Sequence, residues 1–320
     1  MFQDERGATS APARRYGAMT RLVLALLALL ALATTAARAE TVVADPAAQQ
    51  VTALDGTVVW ASGDHPQTLM QHDASGDRPV QGAPAAAYYR SIDLGLDRRG
   101  GLVLTYQRCS SPSRCAAIQD DLRGHRTSMS VRLPSGCTMS TAPARWRTRT
   151  AYGVGCRTSS RSGLYVKTGS GPARRLPRPH DAARFGVSQP TSVDLRGTRA
   201  AAVLSDTYSY GFAENADRSD LVAHLSAASE GDSDEHTPGL ALGSGGTLWS
   251  LTDAEHAGDP LQTVIQQQTT RCSAYQTITA PEGDERYPAI DLAADGEQLY
   301  VVVPGAGIAT HSFTPVRACQ

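Results

Sequence analysis

Three aspartates recur in one setting: Ile92-Asp93-Leu94, Val193-Asp194-Leu195 and Ile290-Asp291-Leu292, 101 and 97 residues apart. In a strand alternate side chains point to opposite faces, so each carboxylate faces away from its two aliphatic neighbours. Three such groups brought around one axis could hold a hard cation such as Ca²⁺, which takes oxygen ligands. Asp93, Asp194 and Asp291 are thus the candidate metal ligands. A pair of carboxylates could equally divide acid and base roles in glycoside or lactone hydrolysis. The structural alternative is that each accepts hydrogen bonds within the turn of its own unit. Other chemistry is absent at motif level: there is no G-x-S-x-G, H-E-x-x-H or C-x-x-C, and His65/His72 and His236/His256 lack metal-ligand spacing.

The elements that must carry these aspartates follow a period. Aliphatic runs open at Val58, Leu102, Ala151, Ala200, Leu248 and Leu299, with spacings of 44, 49, 49, 48 and 51 residues. Upstream of most lies a shorter strand and a tight turn, as in Val51-Thr52-Ala53-Leu54-Asp55-Gly56 and Ile290-Asp291-Leu292 before Ala294-Asp295-Gly296. Asp-Gly there suits a two-residue hairpin, which requires positive φ. Further strand-like pieces follow, such as Gly163 to Lys167 then Ala173 to Leu176 in the third unit and Gln262 to Ile265 then Ala274 to Ile278 in the fifth. Four short strands in about 48 residues make the blade of a propeller. Long helices are nearly absent; only Leu221 to Ser229 has helix-like composition, and it also suits an outer strand. The expectation is an all-β, six-bladed β-propeller of four-stranded antiparallel blades opening near residues 51, 91, 138, 192, 239 and 288. The last unit lacks a fourth strand, and Glu40 to Ala44 can supply it and close the ring.

Leu54-Asp55-Gly56-Thr57-Val58-Val59 and Ala294-Asp295-Gly296 give the chain a pattern that resembles the TolB-like family of exported six-bladed propellers. The resemblance implies architecture and export, with no partner or activity attached. Blade two departs from it with Gly100-Gly101 at the turn and blade four with Arg196-Gly197. Ser62-Gly63-Asp64-His65-Pro66-Gln67-Thr68-Leu69 is similar to the Asp-box of sialidase-type propellers, a structural turn, with Pro66 and Leu69 replacing Gly and Trp.

Arg21, the apolar run Leu22 to Ala33 and Ala37-Arg38-Ala39 read as a Sec-type signal over residues 1–39, with Met19 as an alternative start and cleavage before Glu40. The apolar segment is shorter than the ~20 residues that span a bilayer. Residues 40–320 then form one domain, secreted or in the periplasm or cell envelope. Six cysteines fit an oxidising compartment, and locality pairs Cys109 with Cys115, Cys137 with Cys156 and Cys272 with Cys319. Only Lys167 among the 30 basic residues is lysine, a bias that weakens any single arginine as a functional signal. A formal net charge of −1 argues against bulk nucleic-acid binding. Charge is uneven, however: Arg145 to Arg184 holds ten basic residues against Asp181, and Glu214 to Asp259 ten acidic against Arg218. The function expected is binding of a protein or polysaccharide by a monomer, with no organic cofactor and Ca²⁺ as the one ion considered. An exported glycosidase- or lactonase-like hydrolase using axial carboxylates is the alternative.

Overall fold

The computed structural model describes residues 40–63, 67–84, 88–111, 114–178, 189–205, 209–215, 221–227, 234–243, 247–255, 262–268, 273–278 and 290–313. Strand β1 (Glu40–Val43) is followed by a first ladder of β2 (Ala48–Leu54), β3 (Thr57–Ser62), β4 (Thr68–Asp73) and β5 (Gly76–Pro79). The second ladder holds β6 (Tyr88–Leu96), β7 (Leu102–Ser111), β8 (Arg114–Asp120) and β9 (Arg126–Ser128). The third holds β10 (Cys137–Met139), β11 (Ala144–Trp146), β12 (Arg149–Cys156), β13 (Gly163–Thr168) and β14 (Arg174–Arg175), with β10 and β11 both pairing β12. The fourth runs β15 (Pro190–Arg196), β16 (Arg199–Ser205), β17 (Ser209–Asn215) and β18 (Leu221–Ala227). The fifth runs β19 (Asp234–Leu242), β20 (Leu248–Glu255), β21 (Gln262–Gln268) and β22 (Ser273–Ile278). Leu221 to Ala227, ambiguous by composition, is a strand.

The last ladder takes its strands from both ends of the described chain. β23 (Asp291–Asp295), β24 (Gln298–Val303) and β25 (Gly307–Ser312) pair in sequence, and β1 lies antiparallel to β25 with Glu40 opposite Thr310. Gly307 makes that approach possible: it sits at φ +111°, and a Cβ there would lie 2.1 Å from the Val43 carbonyl oxygen.

Turn chemistry explains the hairpins at the inner edge. Asp55 and Gly56 have φ of +51° and +72°, the two positive values that a type I′ connection needs. In the fourth ladder Arg196 pairs with Arg199, so the turn is Gly197-Thr198, one residue later than the Arg196-Gly197 read from sequence. Arg196 is therefore the last residue of β15, and Asp295, opposite Gln298, is likewise the last of β23.

The second and third ladders, expected as separate blades, are joined. Trp146 of β11 forms a parallel bridge with Leu96 of β6, and the Arg147 N–H donates to the Leu96 carbonyl at 2.7 Å. The two thus run as one nine-stranded sheet. The cause is Gly95, where a Cβ would stand 1.8 Å from the Arg145 carbonyl oxygen.

Apolar clusters fill the spaces between ladders. Val51, Ala53, Val58 and Trp60 of the first pack on Ala293, Val302 and Ile308 of the last. Leu54, Val59 and Leu69 pack on Leu94, Leu104 and Tyr106 of the second. Ala151, Leu164 and Val166 meet Val193, Leu195 and Ala202, while Ala201 and Val203 meet Leu240 and Leu242. Ala241, Trp249 and Ile265 pack on Leu292 and Val301. Each of these side chains is nearly or fully shielded from water, at roughly 1.5–3 kcal/mol for a large aliphatic residue.

Both disulfides among the described residues join strand neighbours. Cys109 pairs Cys115 across β7 and β8, and Cys137 pairs Cys156 across β10 and β12. The second closes the longer loop and stabilises by about 3 kcal/mol on loop-closure entropy. Cys272 and Cys319 lie outside the described residues.

Candidate functional site: a funnel floored by an arginine

The three aspartates do meet at one place. Asp93, Asp194 and Asp291 all line a chamber of about 40 Å³ between the inner strands β2, β6, β15, β19 and β23. That volume admits a few waters and no substrate. Among the described residues no group of three His, Cys, Asp or Glu side chains is arranged to hold a metal ion.

What the aspartates do is fasten one ladder to the next. Asp291 accepts from the Val51 N–H at 2.8 Å through Oδ2 and from the Leu292 N–H at 2.9 Å through Oδ1. Asp194 accepts from the Leu242 N–H at 2.7 Å and from the Leu195 N–H at 2.6 Å. Asp93 accepts from the Arg145 N–H. Thr52 occupies the corresponding position of β2 and accepts from the Leu94 N–H at 2.8 Å through Oγ1. In all four cases a side-chain oxygen of one inner strand takes a backbone N–H of the following ladder. These bonds run between ladders and not within each unit's own turn.

The positive charge in this acidic centre is covalent. Arg196, at the end of β15, has a side chain only 11% exposed and reaches across the axis. Its guanidinium donates from Nη1 to the Leu94 carbonyl and from Nη2 to the Ala53 carbonyl at 2.9 Å. Nε lies 3.7 Å from Asp194 Oδ1, and the guanidinium carbon stands 5.5 Å from the centre of the Trp146 ring. One side chain therefore touches residues of the first four ladders. Its planar fork with five donors serves two carbonyls and a carboxylate together, which the single ammonium of lysine would not.

Three carboxylates and one guanidinium leave the chamber acidic, and protons respond. Burial pushes the Asp93 carboxyl well above the carboxylate range, the nearby Asp194 pushes it further, and Arg196 and the Arg145 N–H offset this only in part. Burial likewise raises Asp291 to about 7 from an ordinary 3.8, against the N–H bonds of Val51 and Leu292. Between those two values the unfolded chain releases a proton that the folded chain keeps, so stability falls as pH rises from about 4 to 7. Asp45, Asp97 and Asp121, held low by hydrogen bonds, lose their contribution only in more acid solution. We expect greatest stability near pH 4–5, on the order of a few kcal/mol above that at pH 8. Chemical denaturation at stepped pH checks this, and Asp291→Asn should flatten the slope between pH 5 and 8.

Arg196 is also the floor of a larger opening. A funnel of about 610 Å³ is lined by Leu54, Asp55, Trp146, Arg196, Arg199 and Asp295, together with the turn glycines. Arg196 and Ala294 border both the funnel and the chamber. Asp295 Oδ2 takes the Gly56 N–H at 2.7 Å, tying two turns of the rim. A second groove, of about 760 Å³, holds Asp73, Asp97 and Asp121. There Asp73 takes the Arg78 guanidinium as well as the Ser75 N–H, Asp97 the N–H groups of Arg99 and Gly101, and Asp121 those of Arg123 and His125.

Arg196 escapes a reading of the sequence because the general arginine bias removes weight from any one of them. Its one signal is local: it stands at the end of an inner strand where the resembled pattern has Asp-Gly. Trp146 carries no signal of its own.

No family model matches the chain, and no curated protein does. Solved structures do. A chain of the mitotic checkpoint complex aligns over 97% of this chain and 99% of its own, with TM-score 0.51 and 11% identity. Virginiamycin B lyase from Staphylococcus aureus aligns over 87% and 99%, with TM-score 0.49 and 9% identity. The Myceliophteria thermophila Cps50 (Swd1) β-propeller domain gives 87% and 100%, with TM-score 0.47 and 14% identity. At such identities the likeness is one of fold. Antiparallel ladders packed face to face in chain order, with inner strands meeting at an axis, have the architecture of a β-propeller. Among the described residues no helix is long and apolar enough to cross a membrane.

Proposed function

We propose that this is an exported, six-bladed propeller, closed by β1 as the outer strand of the last blade, which binds a small ligand or the tip of a larger one in its axial funnel. The blade count is supported by the six ladders, counting the nine-stranded sheet as two, and closure by the cluster that packs the last ladder on the first. Export is supported by the N-terminal signal pattern and the two disulfides.

The observation that carries binding over hydrolysis is the position of Arg196. The three repeated aspartates lie behind it, in a chamber too small for substrate, with Asp194 and Asp291 engaged by backbone N–H groups, and of the two carboxylates that line the funnel itself Asp295 is held by the Gly56 N–H. The open funnel in front offers an aromatic ring, a guanidinium edge and a polar rim, the mixture of apolar wall and few oriented polar groups typical of ligand sites.

The molecule carries its own reporter. Of three tryptophans, Trp60 and Trp249 are each 1% exposed, whereas Trp146 lines the funnel. Screening the mature protein against glycan and metabolite arrays should yield ligands that shift its tryptophan emission, a response abolished in Trp146→Phe. Thr198→Trp, which places a large ring at the exposed funnel wall, should weaken binding at least tenfold. Ligands that bind Thr198→Trp as well as the parent would refute the funnel as the site.

A further inference from the structure

We infer a second, separate interaction surface: the outer part of the third ladder is a docking face for an anionic polysaccharide. Residues 122–180 contain no Asp or Glu and twelve Arg or Lys. With 31 acidic residues in 320, a stretch of that length would ordinarily hold about six. Repulsion inside such a segment costs stability unless a partner or solvent relieves it.

The fold gathers part of this charge on one side. Lys167 and Tyr165 alternate onto the same face of β13, with Arg175 of β14 directly opposite Tyr165. The short 3₁₀ turn Ser159–Arg161 places Arg157 and Arg161, both exposed, at the Gly163 end of β13, with Lys167 toward its other end opposite Thr150. Two contacts fix this arrangement: Arg175 Nη1 donates to the Ser160 carbonyl, and the Tyr165 hydroxyl donates to the Arg161 carbonyl at 2.8 Å. The Cys137–Cys156 disulfide braces the strand that leads into the turn. Tyr165 lies over Tyr152, with ring centres 6.0 Å apart and planes at 20°, so its position is set before any ligand arrives. Among the described residues Arg147, Arg157, Arg161, Lys167 and Arg175 form no ion pair with a carboxylate.

A preset aromatic ring among cations along a strand suits an extended chain of anionic sugars. The choice of polysaccharide over nucleic acid rests on the export reading, which places the face where anionic polymers are surface glycans.

The mature protein should bind immobilised polygalacturonate and dextran sulfate but not neutral dextran, losing at least about tenfold in affinity between 50 and 200 mM salt through counterion release. Arg157→Gln/Arg161→Gln/Lys167→Gln should weaken binding at least tenfold with an unchanged melting temperature. Arg98→Gln/Arg99→Gln/Arg114→Gln, on the second ladder and its turn, should leave it within twofold. Thr198→Trp should also leave it unchanged, which separates this face from the funnel. Binding that is insensitive to salt, equal losses in the two triple variants, or tighter binding to duplex DNA than to either polysaccharide would overturn the proposal.

Discussion

Replacing Arg196 with methionine should cost about 3–5 kcal/mol of unfolding free energy, the range for removing one partner of a buried charge pair. In a domain of this size that lowers the melting temperature by roughly 6–15 °C. The loss has three sources. The Leu94 and Ala53 carbonyls lose their guanidinium donors, Trp146 loses the cation beside its ring, and Asp194 is left without its opposite charge. Arg196→Lys should recover little, because one ammonium cannot span carbonyls on two ladders. Differential scanning calorimetry of the three proteins at pH 7 measures this. A shift below about 2 °C for Arg196→Met would mean that the guanidinium is not what holds the axis.

The second large effect falls on Gly95. Gly95→Ala would set a methyl carbon 1.8 Å from the Arg145 carbonyl oxygen, and that neighbour is backbone, unable to swing aside. Relief requires parting β6 from β11, with loss of the Trp146–Leu96 bridge and the Arg147 N–H bond. We expect at least about 3 kcal/mol of destabilisation, at the upper end for overpacking, seen as a lower urea midpoint. Gly56→Ala supplies the comparison. It sits at φ +72° with nothing within 4 Å, so only backbone strain of about 1 kcal/mol should appear.

The period was legible because turn chemistry and aliphatic runs are local, and local signals survive in a one-dimensional string. Asp55-Gly56 forms the expected hairpin, Cys109 and Cys115 meet across β7 and β8, and the spare strand at Glu40 pairs with β25. The aspartates were legible as a repeat but not in role, since the N–H groups they accept belong to other ladders, 48 residues on for Asp194 and 240 residues back for Asp291. The joining of β6 to β11 was hidden for a similar reason: a glycine in a strand announces a close approach without naming the neighbour. Arg196 was the costliest omission. Nothing in its flanking residues reveals carbonyls that lie 102 and 143 positions away.

The functional reading follows from this division of labour. Asp194 and Asp291 accept backbone N–H groups of neighbouring ladders, and Arg196 donates to the carbonyls beside them. What is left open to a ligand is the funnel wall, built from turns that can vary without disturbing the fasteners behind them.

A double-mutant cycle on Arg196 and Asp194 is the most direct trial of that account. Asp194→Asn keeps an oxygen for the Leu242 N–H while removing the charge that Arg196 faces. Measured by urea unfolding at pH 7, Asp194→Asn/Arg196→Met should be more stable than the sum of the single losses predicts, with a coupling of about 1–3 kcal/mol. Additive losses, within about 0.5 kcal/mol, would show that the two charges do not depend on each other and that the arginine-held axis described here is wrong.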